Sequence, residues 1–290
     1  MAAVNRVFTP EGFPELFSTW DRFPDSVLYA GGTELIRRQG SIVPVLPSNI
    51  ISLHKMEELR KISRTERYLE IGAMVSLGQI IRLGKIVPEV LISCLESIAG
   101  PQLRNSASIG GNICNPGRRL DASAPMIALD AQFELRTAQS SRWVAAARFS
   151  SLPGPPVMAP YEILTRIRIP LEPWNFTRYF KFSTPGLSEP GGCILFILRN
   201  QKNLLTSIRI IYSGQTILRE KNAETQLAGK HLPLEKKDAA ALVESWKTYL
   251  STFKSNEKFV FGRNDRNSNP ELVKAQILNF IENTIMQISD

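Results

Sequence analysis

Two double glycines, one in YAGGTELIRR (residues 29–38) and one in SIGGN (residues 108–112), set the tightest limits on what this chain can fold into. Adjacent glycines permit positive φ and carry no Cβ atoms, so successive backbone N–H groups can converge on an anion. The first pair follows the apolar run VLYA (27–30) and precedes ELIRR, which reads as the start of a helix. A strand, turn, helix unit of this kind suits a phosphate, although glycine pairs also mark ordinary tight turns. The second pair ends IAGPQLRNSASIGGN (98–112), where Ser108 and Asn112 add hydrogen-bonding side chains. Two such loops on different lobes can hold a diphosphate between them. The chain contains no G-x-G-x-x-G and no glycine-rich loop ending in Gly-Lys-Ser/Thr, which excludes the Rossmann and Walker forms of that task.

The remaining pattern is that of a mixed α+β chain. RYLEIGAMV places Leu69, Ile71, Ala73 and Val75 in strand alternation, and Ser76 with Gln79 forms a capping box for a helix beginning there. VPEVLISCLESIAG reads as a helix with Pro88 in its first turn and a stop at Gly100, reinforced by Pro101. DASAPMIALDA has the N-cap Asp121 and apolar helical spacing, and QFELRTA and EILTRIRIP alternate as strands, the latter with Ile163, Thr165, Ile167 and Ile169 on one face. After LEPWNF the pattern changes. CILFIL and LTSIRIIYS read as an antiparallel hairpin, followed by the helices KDAAALVESWKTYL and NPELVKAQILNFIENTIMQI, the last capped by Asn269 with Pro270 at its first position. The expected division is residues 1–55 and 56–172 as two lobes and 173–290 as a C-terminal α+β domain with an antiparallel sheet and helices.

Composition excludes several classes. At 290 residues and 43% hydrophobic content the chain has enough apolar material for two or three cores. No apolar run approaches the ~20 residues needed to span a bilayer, so no membrane partner is expected. Cys94, Cys114 and Cys193 are too few and too scattered for a disulfide framework or metal site, which points to a reducing cytoplasm; His54 and His231 are isolated. The net charge of +8 comes from small basic groups interrupted by acids, such as Arg37–Arg38 and Arg118–Arg119, without the aromatic-basic interleaving of a nucleic-acid surface. Nucleic acid is therefore not an expected partner.

The motifs AGGTEL, IGAMVSLGQI, IAGPQLRNSASIGGNICNPGRRLD, EILTRIRIP and YFKF, in this order and spacing, resemble those of the FAD-binding medium subunits of molybdenum hydroxylases, the xanthine dehydrogenase and carbon monoxide dehydrogenase flavoproteins. The likeness runs from about residue 7 to the C-terminus. It implies a two-lobed FAD-binding domain of the PCMH, or vanillyl-alcohol oxidase, type. It further implies that the segment Leu28, Tyr29, Ala30, Gly31, Gly32, Thr33, Glu34 and Leu35 wraps the FAD diphosphate with backbone amides, and that Ser108, Ile109, Gly110, Gly111 and Asn112 supply a second clamp. Ile98, Asp121, Leu164 and Lys181 match further positions at the cofactor. The implied role is electron transfer: a molybdenum-cofactor subunit oxidises substrate, a 2Fe-2S subunit relays electrons, and FAD passes them on, with NAD as one acceptor. No catalytic residue and no protein metal ligand is expected in this chain.

Each of these residues also has a plainer reading. Asp121 is placed to cap a helix, worth about 1 kcal/mol, Lys181 suits a solvated strand charge, and the hydroxyls of Thr33 and Ser108 can satisfy their own turns. Glu34, an anion beside a diphosphate, is expected to point away from it or to start the helix, and Cys114 reads as an inert packed thiol. Two departures from the resemblance, the paired arginines of NPGRRLD and the segment TPGLSEPGG after YFKF, support an alternative: a non-catalytic FAD- or nucleotide-binding remnant that holds or regulates partner subunits.

Overall fold

A computed structural model describes residues 6–37, 46–115, 121–149, 157–182, 192–214, 216–253 and 270–289. Arg38, Asn269, most of NPGRRLD and nearly all of TPGLSEPGG lie outside the described residues.

The first lobe is a small parallel sheet of β1 (Arg6–Phe8), β2 (Val27–Tyr29) and β3 (Asn49–Ser52), ordered β1-β3-β2. Parallel neighbours need a crossover; α1 (Phe13–Arg22) lies between β1 and β2, and α2 (Thr33–Arg37) follows β2. In α1, Phe13, Leu16, Phe17 and Trp20 recur at helical spacing and turn one stripe inward. Three strands cannot enclose a core by themselves. Met56, Leu59, Met74 and Ile163, from the second lobe, complete the cluster of Phe13, Leu16, Ile51 and Leu53.

The second lobe is an antiparallel sheet of β4 (Ile62–Arg64), β5 (Tyr68–Gly72), β6 (Gln132–Arg136), β7 (Ser141–Ala145) and β8 (Ile163–Pro170), ordered β4-β5-β8-β6-β7. Its core includes residues of the short helices α3 (Leu77–Arg82), α4 (Glu89–Glu96), α6 (Ile109–Ile113), α7 (Ser123–Ala128) and α8 (Ala146–Phe149), whereas α5 (Pro101–Ser106) has no buried residue. The capping box at α3 is present: the Gln79 amide donates to Ser76 Oγ at 3.1 Å and the Ser76 amide to Gln79 Oε1 at 2.9 Å. Strand alternation turns Leu69, Ile71, Phe133, Leu135, Ile167 and Ile169 inward. The outward residues satisfy one another: Arg166 bridges Glu70 and Glu134, and the Arg168 guanidinium lies 4.2 Å from the Trp143 ring centroid. Between β6 and β8 the register shifts at Glu134/Leu135. Thr165 is the extra residue there, donating to Glu134 Oε2 at 2.7 Å. The simple alternation expected of EILTRIRIP breaks at that point, so Leu164 joins the second-lobe core while Ile163 joins that of the first.

The C-terminal sheet comprises β9 (Phe176–Phe182), β10 (Gly192–Gln201), β11 (Leu204–Ser213) and β12 (Ile217–Leu218), antiparallel in the order β12-β11-β10-β9. The expected hairpin is β10–β11. Lys202 and Asn203 turn it with φ of 48° and 62°, the positive values that two-residue hairpin turns favour. CILFIL is a continuous apolar run because β10 is covered on both faces. Cys193, Leu195 and Ile197 enter the second-lobe core, whereas Ile194, Phe196 and Leu198 pack in the cluster formed with α9 (Lys221–Leu227), α10 (Lys236–Ser251) and α11 (Pro270–Ser289). Arg209 of β11 fastens this sheet to the second lobe through the Ala128 carbonyl and the Asp130 carboxylate, 2.6 Å away, and lies over Trp174 of the connecting segment.

Candidate functional site

The first glycine loop begins where β2 ends. Gly32 has φ +68°, a left-handed conformation that costs glycine least, and it turns the chain into α2, whose Ile36 amide donates to the Gly32 carbonyl at 3.1 Å. Leu28 to Leu35 are all half-buried. Among the described residues, the amides of Ala30, Gly31, Gly32 and Thr33 have no hydrogen-bond acceptor, and neither has the Thr33 hydroxyl. Half-buried amides without acceptors are uncommon, so four in succession form a concentration of donors suited to an anion. Glu34 does not oppose such a guest as a bare charge, because Arg37 takes its carboxylate bidentately at 2.6 and 2.8 Å.

The glycines also meet a packing demand. A Cβ on Gly31 would lie 1.9 Å from the Ser106 carbonyl oxygen at the end of α5, and one on Gly32 would lie 2.2 Å from the Tyr29 hydroxyl. The first loop is therefore pressed against the second lobe.

The second glycine loop is organised differently. Ser108 caps α6, its hydroxyl accepting from the Gly111 amide at 3.1 Å. The Ile109 amide donates to Val75 O, Gly110 to Ala73 O and Asn112 to Ser108 O. Each amide from Ile109 to Asn112 thus has a partner inside the protein, and Gly110 is required because its Cβ would fall 2.7 Å from that of Ala73. The segment instead presents the exposed, Cβ-free Gly111, whose added Cβ would be 3.8 Å from Ala30 Cβ, and the buried Asn112 Oδ1, which has no partner among the described residues. The two glycine loops are neighbours across the lobe seam.

A second cluster gathers Ile98, Asp121 and Lys181. Lys181, on β9, forms an ion pair with Asp121 and donates to the Ser97 carbonyl at 3.2 Å. The N-cap reading of Asp121 is not met: α7 starts from Ala122 without a side-chain cap, and the Asp121 carboxylate is directed to Lys181. Nor does Pro101 end a structured run; it opens α5 at the first helical position with Gly100 as N-cap. Behind the ion pair, the Tyr179 hydroxyl lies 3.2 Å from Ser97 Oγ, and burial raises the pKa of Tyr179, Cys94 and Cys193 well above their ordinary values. Cys114, although only half-buried, is likewise pushed up by loss of solvation, to about 12, so all four groups are protonated at neutral pH. Leu164, at 3% exposure, is packed in the second-lobe core opposite Leu135.

Two participants were not singled out from sequence: the Ser97 carbonyl, which no side-chain motif reports, and Arg104, whose signal is a basic residue closely following a helix stop. Taken together, the donor run at 30–33 and the unpartnered Asn112 oxygen suit a ligand that carries both phosphates and hydroxyls, and the Lys181–Asp121 pair forms a further charged cluster.

Comparison with known proteins agrees with this. Residues 3–172 match the family model described as the FAD binding domain in molybdopterin dehydrogenase. The xanthine dehydrogenase FAD-binding subunit of Escherichia coli O157:H7 is 31% identical over 171 residues, covering 55% of this chain and 56% of that protein, so the match spans little more than half of each. The carbon monoxide dehydrogenase medium chain of Hydrogenophaga pseudoflava is 28% identical over 75% of this chain and 77% of its own length. Among solved structures, quinoline 2-oxidoreductase from Pseudomonas putida 86 has a chain with the same fold, with a TM-score of 0.82 at 20% identity, covering 98% of this chain and 96% of that one. The chain therefore belongs to the family of FAD binding domains of molybdopterin dehydrogenases.

Proposed function

We propose that this chain holds one FAD across the seam between its first two lobes and works as the electron-transfer subunit of a molybdenum hydroxylase, receiving electrons from a 2Fe-2S subunit and delivering them to NAD or another acceptor. The division into lobes at 1–55 and 56–172 and a C-terminal domain at 173–290 is part of this reading, as is a cytoplasmic setting for a chain whose three cysteines are free thiols. The carrying observation is the run of acceptor-free amides from Ala30 to Thr33 at the seam. In this reading they hold the diphosphate together with the Thr33 hydroxyl. Gly111 lets the ligand approach the second loop without obstruction, and Asn112 Oδ1 accepts from a ribityl or ribose hydroxyl.

FAD supplies the ability to accept single electrons and to release a hydride. The chain's residues hold and orient it. The Lys181–Asp121 pair sets a fixed dipole beside the ring, and Ile98 packs near it. The protonated thiols and phenol behind the pair add no charge, so this wall is electrically neutral overall.

Isolation of the chain from its native source tests the proposal. A yellow protein accompanied by iron-sulfur and molybdenum subunits, whose flavin is reduced by a partner or by NADH on the timescale of turnover, is the expected result. A folded chain that stays colourless after titration with FAD overturns it.

A further inference from the structure

The turn that follows α4 exposes four consecutive carbonyls, Glu96 to Ala99, where a helix end ordinarily leaves acceptors for water. Here two cations divide them. Arg104 Nη1 donates to Glu96 O at 2.9 Å, Ile98 O at 3.1 Å and Ala99 O at 2.6 Å, while the remaining carbonyl, that of Ser97, receives Lys181 Nζ. Ala99 has φ +46°, a left-handed conformation uncommon for a residue with a Cβ and maintained only where its surroundings dictate it. The guanidinium meets that requirement by drawing the carbonyls on either side of Ser97 to one nitrogen. The Ser97 carbonyl is left facing the other way, toward Lys181.

We infer that Arg104 is a positioning residue for the cofactor site, clipping the 96–99 turn so that Ile98 and Lys181 are held in register with the glycine loop. The idea rests on the FAD reading above. α5 makes it mechanically direct: this six-residue helix, about 9 Å long, grips the turn through Arg104 and ends at Ser106, against which Gly31 is packed. The diphosphate loop and the ring-side cluster are therefore linked through one short rigid element. Lys at this position keeps the cation but is expected to hold the turn less firmly, because its ammonium is a strongly hydrated point charge on a flexible stem.

The test is a double-mutant cycle on the full chain, read by FAD binding through flavin fluorescence and by visible circular dichroism of the bound flavin. R104M and K181M each raise the Kd for FAD about tenfold and alter the visible dichroism. Because both act on the same turn, the double variant weakens binding by about 10- to 30-fold rather than the ~100-fold of independent sites. R104K gives an intermediate loss with the same sub-additivity, and replaces R104M in the cycle if the latter does not fold. Multiplicative effects, or an R104M chain of lowered thermal stability with unchanged Kd and visible dichroism, overturn the inference and leave the FAD reading intact. Failure of the unmodified chain to bind FAD overturns the FAD reading itself.

Discussion

Replacing Gly31 with alanine places a methyl carbon 1.9 Å from the Ser106 carbonyl oxygen, 2.7 Å from its carbon and 3.0 Å from the Ala107 Cα. All three obstructing atoms are backbone, so no side-chain rotation relieves the clash. Ordinary contact begins near 3.4 Å, and the loop must retreat by about 1.5 Å. Overpacking of this kind costs about 1–3 kcal/mol of stability. The binding loss is separable. Hydrogen bonds of 2.7–3.2 Å do not survive a shift of that size, and bonds to a charged group contribute about 1.5–3 kcal/mol each. Losing one or two of them raises the Kd for FAD roughly 100-fold. Gly111→Ala is the informative partner: its Cβ is crowded by the rotatable Ser108 hydroxyl, at 2.9 Å, and makes only ordinary contact with Ala30 Cβ, at 3.8 Å. That variant is expected to lose no more than about 1 kcal/mol of stability, the value of a cap. It should still bind FAD about tenfold more weakly, because the exposed face of the second loop is filled. Flavin-fluorescence titration and thermal melts of both variants provide the comparison. A Gly31→Ala chain that melts lower yet binds FAD with unchanged affinity refutes the link between this loop and the diphosphate.

Two further expectations concern titration. The buried Glu162 carboxylate accepts from Arg142 at 2.6 and 2.8 Å and from the Ala159 amide at 2.8 Å; chiefly the Arg142 hydrogen bond, against the opposing effect of burial, holds its pKa below the ordinary value. Its contribution to stability is complete above the unfolded-state pKa of about 4.3 and is lost as pH falls through the lower folded value. Glu162→Gln should therefore flatten the acid limb of a urea-stability profile between about pH 2 and 5, and an unchanged limb would show that the pair carries no linkage. For the thiols, burial keeps Cys94 and Cys193 protonated and pushes Cys114 to about 12, so a thiol reagent at pH 8 should leave the native chain unmodified and label all three in denaturant. Rapid labelling of native Cys114 would contradict this.

What could be read from sequence follows from how local each determinant is. The strand, double glycine and helix at 27–37 are coded within a few residues, as are the Ser76–Gln79 box and the doubly covered β10. β1 and β3 were not legible, because three or four residues in a parallel pair leave no alternation long enough to notice. Pro101 was ambiguous by nature, since proline both follows helix ends and begins helices, and only the surrounding packing decides. The site shows the same limit. Asp121 was found by type, but its partner Lys181 lies 60 residues away, so its ion pair is a product of the tertiary fold. The second glycine pair was legible as a loop. That its amides are consumed internally by Ala73, Val75 and Ser108 was not.

The central claim is that the acceptor-free amides at Ala30 to Thr33 hold the phosphates of FAD, and the most direct measurement compares FAD with riboflavin, which lacks them. Titration of the flavin-free chain should give one FAD bound per chain, at least ~100-fold tighter than riboflavin, as two or more charge-assisted hydrogen bonds require. A folded chain that binds riboflavin as tightly as FAD, or that binds neither, would contradict the account.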